Sequence, residues 1–242
     1  LCGSPDLDPL YQPIGTRRGI TVFLCTNCGC LQSRPVGVKG DGILRVSHDS
    51  DYGNLRTGKI GRAIPNLDFL RRNVPGFKPE RILDVGASRG VFIEKFRQWL
   101  PESTIMAIEP DTRIWPEHRS KVEAWKSYRI EDCTFFNEVF ELEVCIHTLE
   151  HLDTPLPTLQ KLREALDPDG WLLVEVPNIR GLMGILDVIE EIYIDKHVTH
   201  FSLNTLRKML GLVGFRPVYY QADQENVTIL AQRGEVVPIK DD

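Results

Sequence analysis

The chain has 242 residues, of which 42% are apolar and 26% charged, and its net charge is −5. Those proportions belong to an ordinary globular protein, long enough for one full core and a small appendage. The acidic balance disfavours nucleic acid as a partner, no stretch reaches the ~20 apolar residues of a membrane span, and no charged-then-apolar leader opens the sequence. A reducing, cytoplasmic setting is the expectation, with oligomeric state left open. The sequence begins at Leu1 rather than Met, so residues are expected to be missing from the front.

Residues 1–35 are rich in Gly, Pro and Cys, with one apolar run, Ile20–Leu24. Cys25-Thr-Asn-Cys28 has the spacing of a zinc knuckle, and Gly29 permits the tight turn behind it. Cys2-Gly-Ser-Pro reads as the end of an opposing knuckle, whose first cysteine would fall two residues before Leu1. Cys2, Cys25 and Cys28 are therefore expected to hold a structural Zn2+, the fourth ligand being upstream or Cys30. The alternative is a set of free thiols in a loop. Cys133 and Cys145 lie in apolar surroundings and read as core thiols.

Residues 36–79 form a polar connection with one helix candidate, in which Ile60, Ile64, Leu67, Phe69 and Leu70 approximate helical spacing and Arg71–Arg72 close the last turn. From Arg81 onward, strand-like runs alternate with helix-like segments, the pattern of βαβ units and a mainly parallel sheet. Strands are expected at Arg81–Val85, Thr104–Ile108, Lys121–Trp125, Leu142–His147, Trp171–Val176, Arg216–Gln221 and Asn226–Ala231. Helices are expected at Val91–Leu100, Leu156–Leu166 and Leu203–Leu212, the last capped by Ser202. Asp167-Pro-Asp-Gly170 supplies a turn, and the short gap between the final two strands predicts an antiparallel hairpin. The apolar segment Ile179–Ile194 reads either as a core helix or as a lid or substrate wall. The fold class is thus α/β: a doubly wound, Rossmann-like, mostly parallel sheet with an antiparallel C-terminal hairpin. A zinc-ribbon-like module (residues 1–35) and a helical connection (36–79) precede the main domain at 80–242.

The segment Ile82-Leu-Asp-Val-Gly-Ala-Ser-Arg-Gly90 carries the strongest functional signal. A strand containing Asp84 runs into a turn with Gly86 and Gly90, where a ligand can approach the backbone, and a helix follows whose first N–H groups suit a negative group. The next strand ends in Glu109, about 20 residues on, where a carboxylate can take both hydroxyls of a ribose. Ser88 replaces the second glycine of a dinucleotide fingerprint, and Asp84 would repel a pyrophosphate but tolerate an amino group. That favours S-adenosylmethionine (SAM) over a dinucleotide.

These residues resemble the class I SAM-dependent methyltransferases over roughly Arg81 to Arg233. The likeness rests on Asp84-Val-Gly-Ala-Ser-Arg-Gly90, Ile108-Glu-Pro-Asp111, His147-Thr-Leu-Glu-His151-Leu and Asp169-Gly-Trp-Leu-Leu-Val-Glu-Val-Pro-Asn178. The resemblance implies that Asp84, Gly86, Ala87 and Gly90 line the methionine end of the cofactor. It puts Glu109, followed by Pro110, on the ribose, Tyr128, Arg129 and Ile130 beside the adenine, and His147 at the end of the fourth strand. The cysteine pairing is similar to the zinc-binding domain in front of certain sugar and natural-product methyltransferases, with Leu31-Gln32 after the second knuckle.

His147-Thr-Leu-Glu-His151 also matches the His-x-x-Glu-His pattern of inverted zinc proteases. That chemistry needs one helix carrying both histidines, whereas Leu142–Ile146 reads as a strand and Pro155 and Pro157 follow closely, so the protease reading is rejected. His197 and His200 lie just before the last helix, in a loop expected over the strands' carboxyl ends. The resemblance makes His197 the candidate general base, with His151 its rival and His200 in reserve; methyl transfer by positioning alone is the alternative. The expected function is methyl transfer from SAM to a small-molecule acceptor, a sugar or natural-product hydroxyl or carbon. The competing functions are an RNA methyltransferase with a zinc module and a non-catalytic SAM-fold interaction protein.

Overall fold

The computed structural model describes residues 2, 4–13, 20–35, 58–110, 119–135, 138–182 and 197–238. Three N-terminal strands come first: β1 (Leu7–Tyr11), β2 (Ile20–Cys25) and β3 (Leu31–Pro35). Helix α1 (Gly58–Asn73) leads to β4 (Arg81–Val85), α2 (Val91–Trp99), β5 (Thr104–Ile108), β6 (Ala124–Lys126) and β7 (Phe140–Ile146). Then follow α3 (Pro155–Ala165), β8 (Leu166–Pro177), α4 (Ile179–Leu182), β9 (Thr199–His200), α5 (Leu203–Leu212), β10 (Phe215–Ala222) and β11 (Asn226–Arg233).

The main sheet has seven strands in the order β10-β11-β8-β7-β4-β5-β6. Strands β8, β7, β4, β5 and β6 run parallel, and β11 and β10 return antiparallel. The parallel strands are buried on both faces, as βαβ connections require. One face carries Ala63, Leu67 and Leu70 of α1 and Phe92, Ile93 and Phe96 of α2 against Ile82, Ile105, Leu142 and Val144. The other carries Leu159 and Leu162 of α3 and Leu206, Met209 and Leu210 of α5. The doubly wound architecture and the C-terminal hairpin are as the periodicity predicts.

Three details differ from the sequence reading. The third parallel strand is short and lies at Ala124–Lys126 rather than Lys121–Trp125. Strand β8 starts at Leu166, directly after α3, so Asp167–Gly170 is not a turn before the strand but a bulge within it. Phe140 pairs with Leu166 and Leu142 with Trp171, and Asp167 Oδ1 accepts from the Asp169 N–H at 2.9 Å. On α1, Ile64 is 54% exposed; Ala63 and Asn66 complete the buried stripe in its place. Of the apolar segment Ile179–Ile194, residues 183–194 lie outside the described residues.

Strands β1, β2 and β3 form a second sheet whose fourth member is β9: Leu31 pairs with His200 and Gln32 with Thr199. The N-terminal strands thus take their last strand from a segment near the other end of the chain. No described helix is long and apolar enough to cross a membrane.

An acidic side chain interrupts the apolar pattern in the middle of the sheet. Glu143, in the middle of β7 between Leu83 and Leu172, is fully buried, and neither carboxylate oxygen has a hydrogen-bond partner. Burial pushes its carboxyl well above the ordinary range. The folded state therefore binds this proton more tightly than the unfolded chain, and stability is lost as pH rises from about 4.3 through the folded pKa. Glu143→Met should raise stability at pH 8 by about 1–3 kcal/mol and remove that part of the slope. Urea unfolding at pH 5 and pH 8 checks this; equal slopes in both proteins would contradict it.

Candidate functional site

Strand β4 pairs in parallel with β5 on one side and β7 on the other, Val85 opposite both Ile108 and Cys145. The loops leaving the three carboxyl ends therefore meet at one level. The N–H groups of Gly86 and Ala87 both donate to Ile108 O, at 2.8 and 3.1 Å, so the turn after β4 crosses the end of β5. Gly86, Ser88 and Gly90 have φ of 72°, 49° and 71°. Asp84 and Glu109 are 3% and 7% exposed. Glu109 Oε2 accepts from the Ser88 N–H at 2.8 Å, which ties the second acidic residue to the glycine turn. Helix α2 starts at Gly90 with no side-chain cap, leaving its first amides to a ligand. An acidic pair beside open amides suits a compound carrying an amino group, a carboxylate and vicinal hydroxyls.

Gly86 serves a purpose other than ligand approach. A Cβ there would lie 2.2 Å from Thr148 Oγ1, in the loop after β7. Thr148 in turn donates to Val85 O at 3.2 Å. Ala87 is buried beneath α1 and α2, and Pro110 is partly exposed. Of the expected adenine-side residues, Ile130 is buried and Tyr128 is 41% exposed. The Arg129 guanidinium is held by Asp153 at 2.6 Å and Glu131 at 2.7 Å.

The histidines gather beyond β7. His147, at φ 46°, turns the chain out of the strand. Its Nε2 lies 2.9 Å from Asn226 Oδ1 and 3.4 Å from Glu175 Oε1, while Nδ1 lies 3.4 Å from Glu150 Oε1. Burial alone would lower its pKa, but Glu150 and Glu175 together hold it above the ordinary imidazole value. Burial would likewise raise the Glu150 carboxyl, yet the surrounding imidazoles keep it well below the usual range. His151 and His197 face each other with ring centroids 4.8 Å apart. Burial, and then His151, push His197 well below 6.5, so it is neutral at physiological pH. His200 is turned the other way: its Nε2 shares a 2.6 Å hydrogen bond with Ser33 Oγ, and burial lowers its pKa to about 3. It ties β9 to β3.

Cys2, Cys25 and Cys28 bring their sulfurs within 4.8 Å of one another. The knuckle closes through Gly29 N–H to Cys25 O at 2.8 Å, with Gly29 at φ 74°. Cys30 stands apart, its Sγ 3.7 Å from His200 O. Cys133 and Cys145 are buried, as expected.

The sequence pattern assigns no role to Glu150 or Glu175, nor to Asn66, Asn226 or Thr228. Glu175 Oε2 accepts from Asn66 Nδ2 and Thr228 Oγ1, both at 3.0 Å. Glu175 was visible as a charge inside the apolar run Trp171–Val176, and Glu150 stood in the quoted His-x-x-Glu-His. Asn66, Asn226 and Thr228 join through tertiary contact alone.

A family model described as a methyltransferase domain matches residues 59–220. The tRNA U34 carboxymethyltransferase of Trichodesmium erythraeum is 21% identical over 160 residues, covering 62% of this chain and 49% of that protein. The ubiquinone biosynthesis O-methyltransferase of Actinobacillus pleuropneumoniae is 26% identical over 123 residues, 46% of this chain and 52% of that one. The chain spans about half the length of these curated relatives. Among solved structures, the plantazolicin methyltransferase BpumL, in complex with a monoazolic desmethylPZN analog and SAH, superposes with a TM-score of 0.60 at 14% identity, covering 77% of this chain and 91% of that one.

The contact between Gly86 and Thr148 gives a direct test. Gly86→Ala combines a left-handed φ with a collision and should cost at least about 2 kcal/mol. In a Thr148→Ala background the collision is largely relieved and about 1–2 kcal/mol should remain. Equal costs in both backgrounds, by urea unfolding, would show that Thr148 does not set the constraint.

Proposed function

The chain belongs to the methyltransferase-domain family, and from that premise we propose that it moves a methyl group from SAM to a hydroxyl or carbon of a small molecule, such as a sugar or natural product. The carrying observation is the pair of buried carboxylates, Asp84 and Glu109, at the carboxyl ends of adjacent parallel strands on either side of a glycine turn. Their chemistry fits the cofactor. Asp84 would take the amino group of the methionine moiety, Glu109 the ribose hydroxyls, and the α2 amides the carboxylate. Tyr128 and Ile130 would flank the adenine.

The methyl group passes from a sulfonium to the acceptor by in-line displacement, so positioning supplies much of the rate. The acceptor would lie against the imidazoles beyond β7, where His197 orients or deprotonates it, with His151 as the rival. A second reading, an RNA acceptor, is favoured by the relative named for tRNA U34. The net charge of −5 stands against it. Six free thiols are in keeping with a reducing, cytoplasmic setting.

The N-terminal strands would form a structural zinc module held by Cys2, Cys25 and Cys28. The three converging sulfurs fit a tetrahedral thiolate site at Zn–S distances of ~2.3 Å. The fourth ligand would come from outside this trio.

Two measurements test these assignments. Glu109→Ala should weaken S-adenosylhomocysteine binding by about 1–3 kcal/mol in calorimetry, and unchanged affinity would remove the ribose role. Metal analysis should find about one zinc per chain, lost in Cys28→Ser; less than half an equivalent in the unaltered protein would defeat the zinc assignment.

A further inference from the structure

Glu150 and His151 follow β7, and His197 precedes β9. Each offers one ligand atom, and the three atoms lie within 4.8 Å of one another. We propose that this trio is a divalent-cation site, distinct from the cysteine cluster, at which the acceptor's oxygen is bound. Its role rests on the methyl-transfer reading; its existence does not.

The Glu150 side chain is 1% exposed, and neither of its oxygens accepts a hydrogen bond. The nearest nitrogens are His147 Nδ1 at 3.4 Å and His151 Nε2 at 3.8 Å, both longer than good hydrogen bonds. A carboxylate withdrawn from water without hydrogen bonds is costly, and a resident cation removes that cost. His147 offsets this only in part, because its Nδ1 stands 3.4 Å away and its ring is shared with Glu175.

The spacing fits as well. Ligand atoms ~2.1 Å from one ion stand roughly 3–4 Å apart, so closure requires movements of under about 1 Å. The two segments are already joined by their backbones. Val198 N–H donates to Glu150 O at 2.8 Å, and Val198 O accepts from Ser33 N–H at 2.9 Å. His147 then acts as an outer partner that orients the ligating carboxylate. One carboxylate and two imidazoles form a mixed oxygen–nitrogen set that suits Mn2+, Fe2+, Co2+ or Zn2+ and leaves positions open. The cysteine trio is a soft set that does not favour Mn2+.

The location gives the site its use. Glu150 is two residues beyond Thr148, which packs on the glycine turn at Gly86. An acceptor hydroxyl bound to the cation ionises more readily, and its proton leaves to water. The oxygen's electron pair forms the O–CH3 bond as the S–CH3 bond breaks, and that bond's pair stays on sulfur to give the neutral thioether. His197 would then be a ligand rather than a free base.

The test uses the full chain with zinc retained on the cysteines, titrated with Mn2+ by calorimetry and electron paramagnetic resonance, with S-adenosylhomocysteine binding measured in parallel. About one Mn2+ should bind, and Glu150→Gln and the more exposed His197→Gln should each weaken it at least tenfold. Both variants should keep their zinc and their S-adenosylhomocysteine affinity. No Mn2+ binding, or binding unchanged in both variants, would overturn the cation site while leaving the methyl-transfer reading intact. Binding lost in Cys28→Ser but kept in His197→Gln would also overturn it. Mn2+ binding without any S-adenosylhomocysteine binding would support the cation site and defeat the methyl-transfer reading instead.

Discussion

The parallel alignment of β4 between β5 and β7 is the constraint on which the rest depends. Because Val85 stands level with both Ile108 and Cys145, three loops leave the sheet at one height. They bring the glycine turn against Glu109 on one side, through the Ser88 amide, and against Thr148 on the other, although these residues are spread along the sequence. A parallel sheet covered on both faces admits few polar side chains. Those it holds near the carboxyl ends, Asp84 and Glu175, are therefore selected for chemistry or for the support of chemistry.

Buried charge in this sheet is managed in two ways. Glu175 Oε2 accepts from Asn66 and Thr228, and the His147 ring stands between the carboxyl groups of Glu175 and Glu150. Glu143, one strand inward from Glu175 and remote from any such partner, is instead held in its neutral form. The same residue type, at similar burial, meets opposite surroundings at the two positions. The conformation of His147 belongs to this scheme. Its left-handed φ swings the ring back toward both carboxylates, a strain that persists only because the surrounding hydrogen bonds fix it.

Much of the fold was legible because its elements carry strong periodic signals. The strands at Arg81–Val85 and Thr104–Ile108 match in full, as does the helix at Leu203–Leu212 with its Ser202 cap. Ser202 and Thr205 close a reciprocal capping box, and a serine just ahead of an apolar helical run announces such a start. The acidic pair and glycine turn were legible for a similar reason, since each is local. What escaped is either short or non-local. Strand β6 has three residues and no pattern to read. Strand β9 has two, and exists only because β3 offers it an edge. Glu150 stands in a quoted motif but carries no role there, because sequence alone does not show that His197 arrives beside it from 47 positions away. Asn66 reaches Glu175 across 109 residues, and no spacing rule anticipates that.

The pairing of β3 with β9 has a consequence for how the chain is made. Leu31 and His200 are 169 positions apart, so the whole intervening stretch must leave the ribosome before the N-terminal sheet gains its fourth strand. Until then β3 presents an open edge, the kind of surface that recruits foreign strands. Contacts of such long sequence separation also form late, after the loop between them has been organised by more local pairings. The cysteine-bearing strands, although synthesised well before β9, would be among the last described parts of the protein to finish folding.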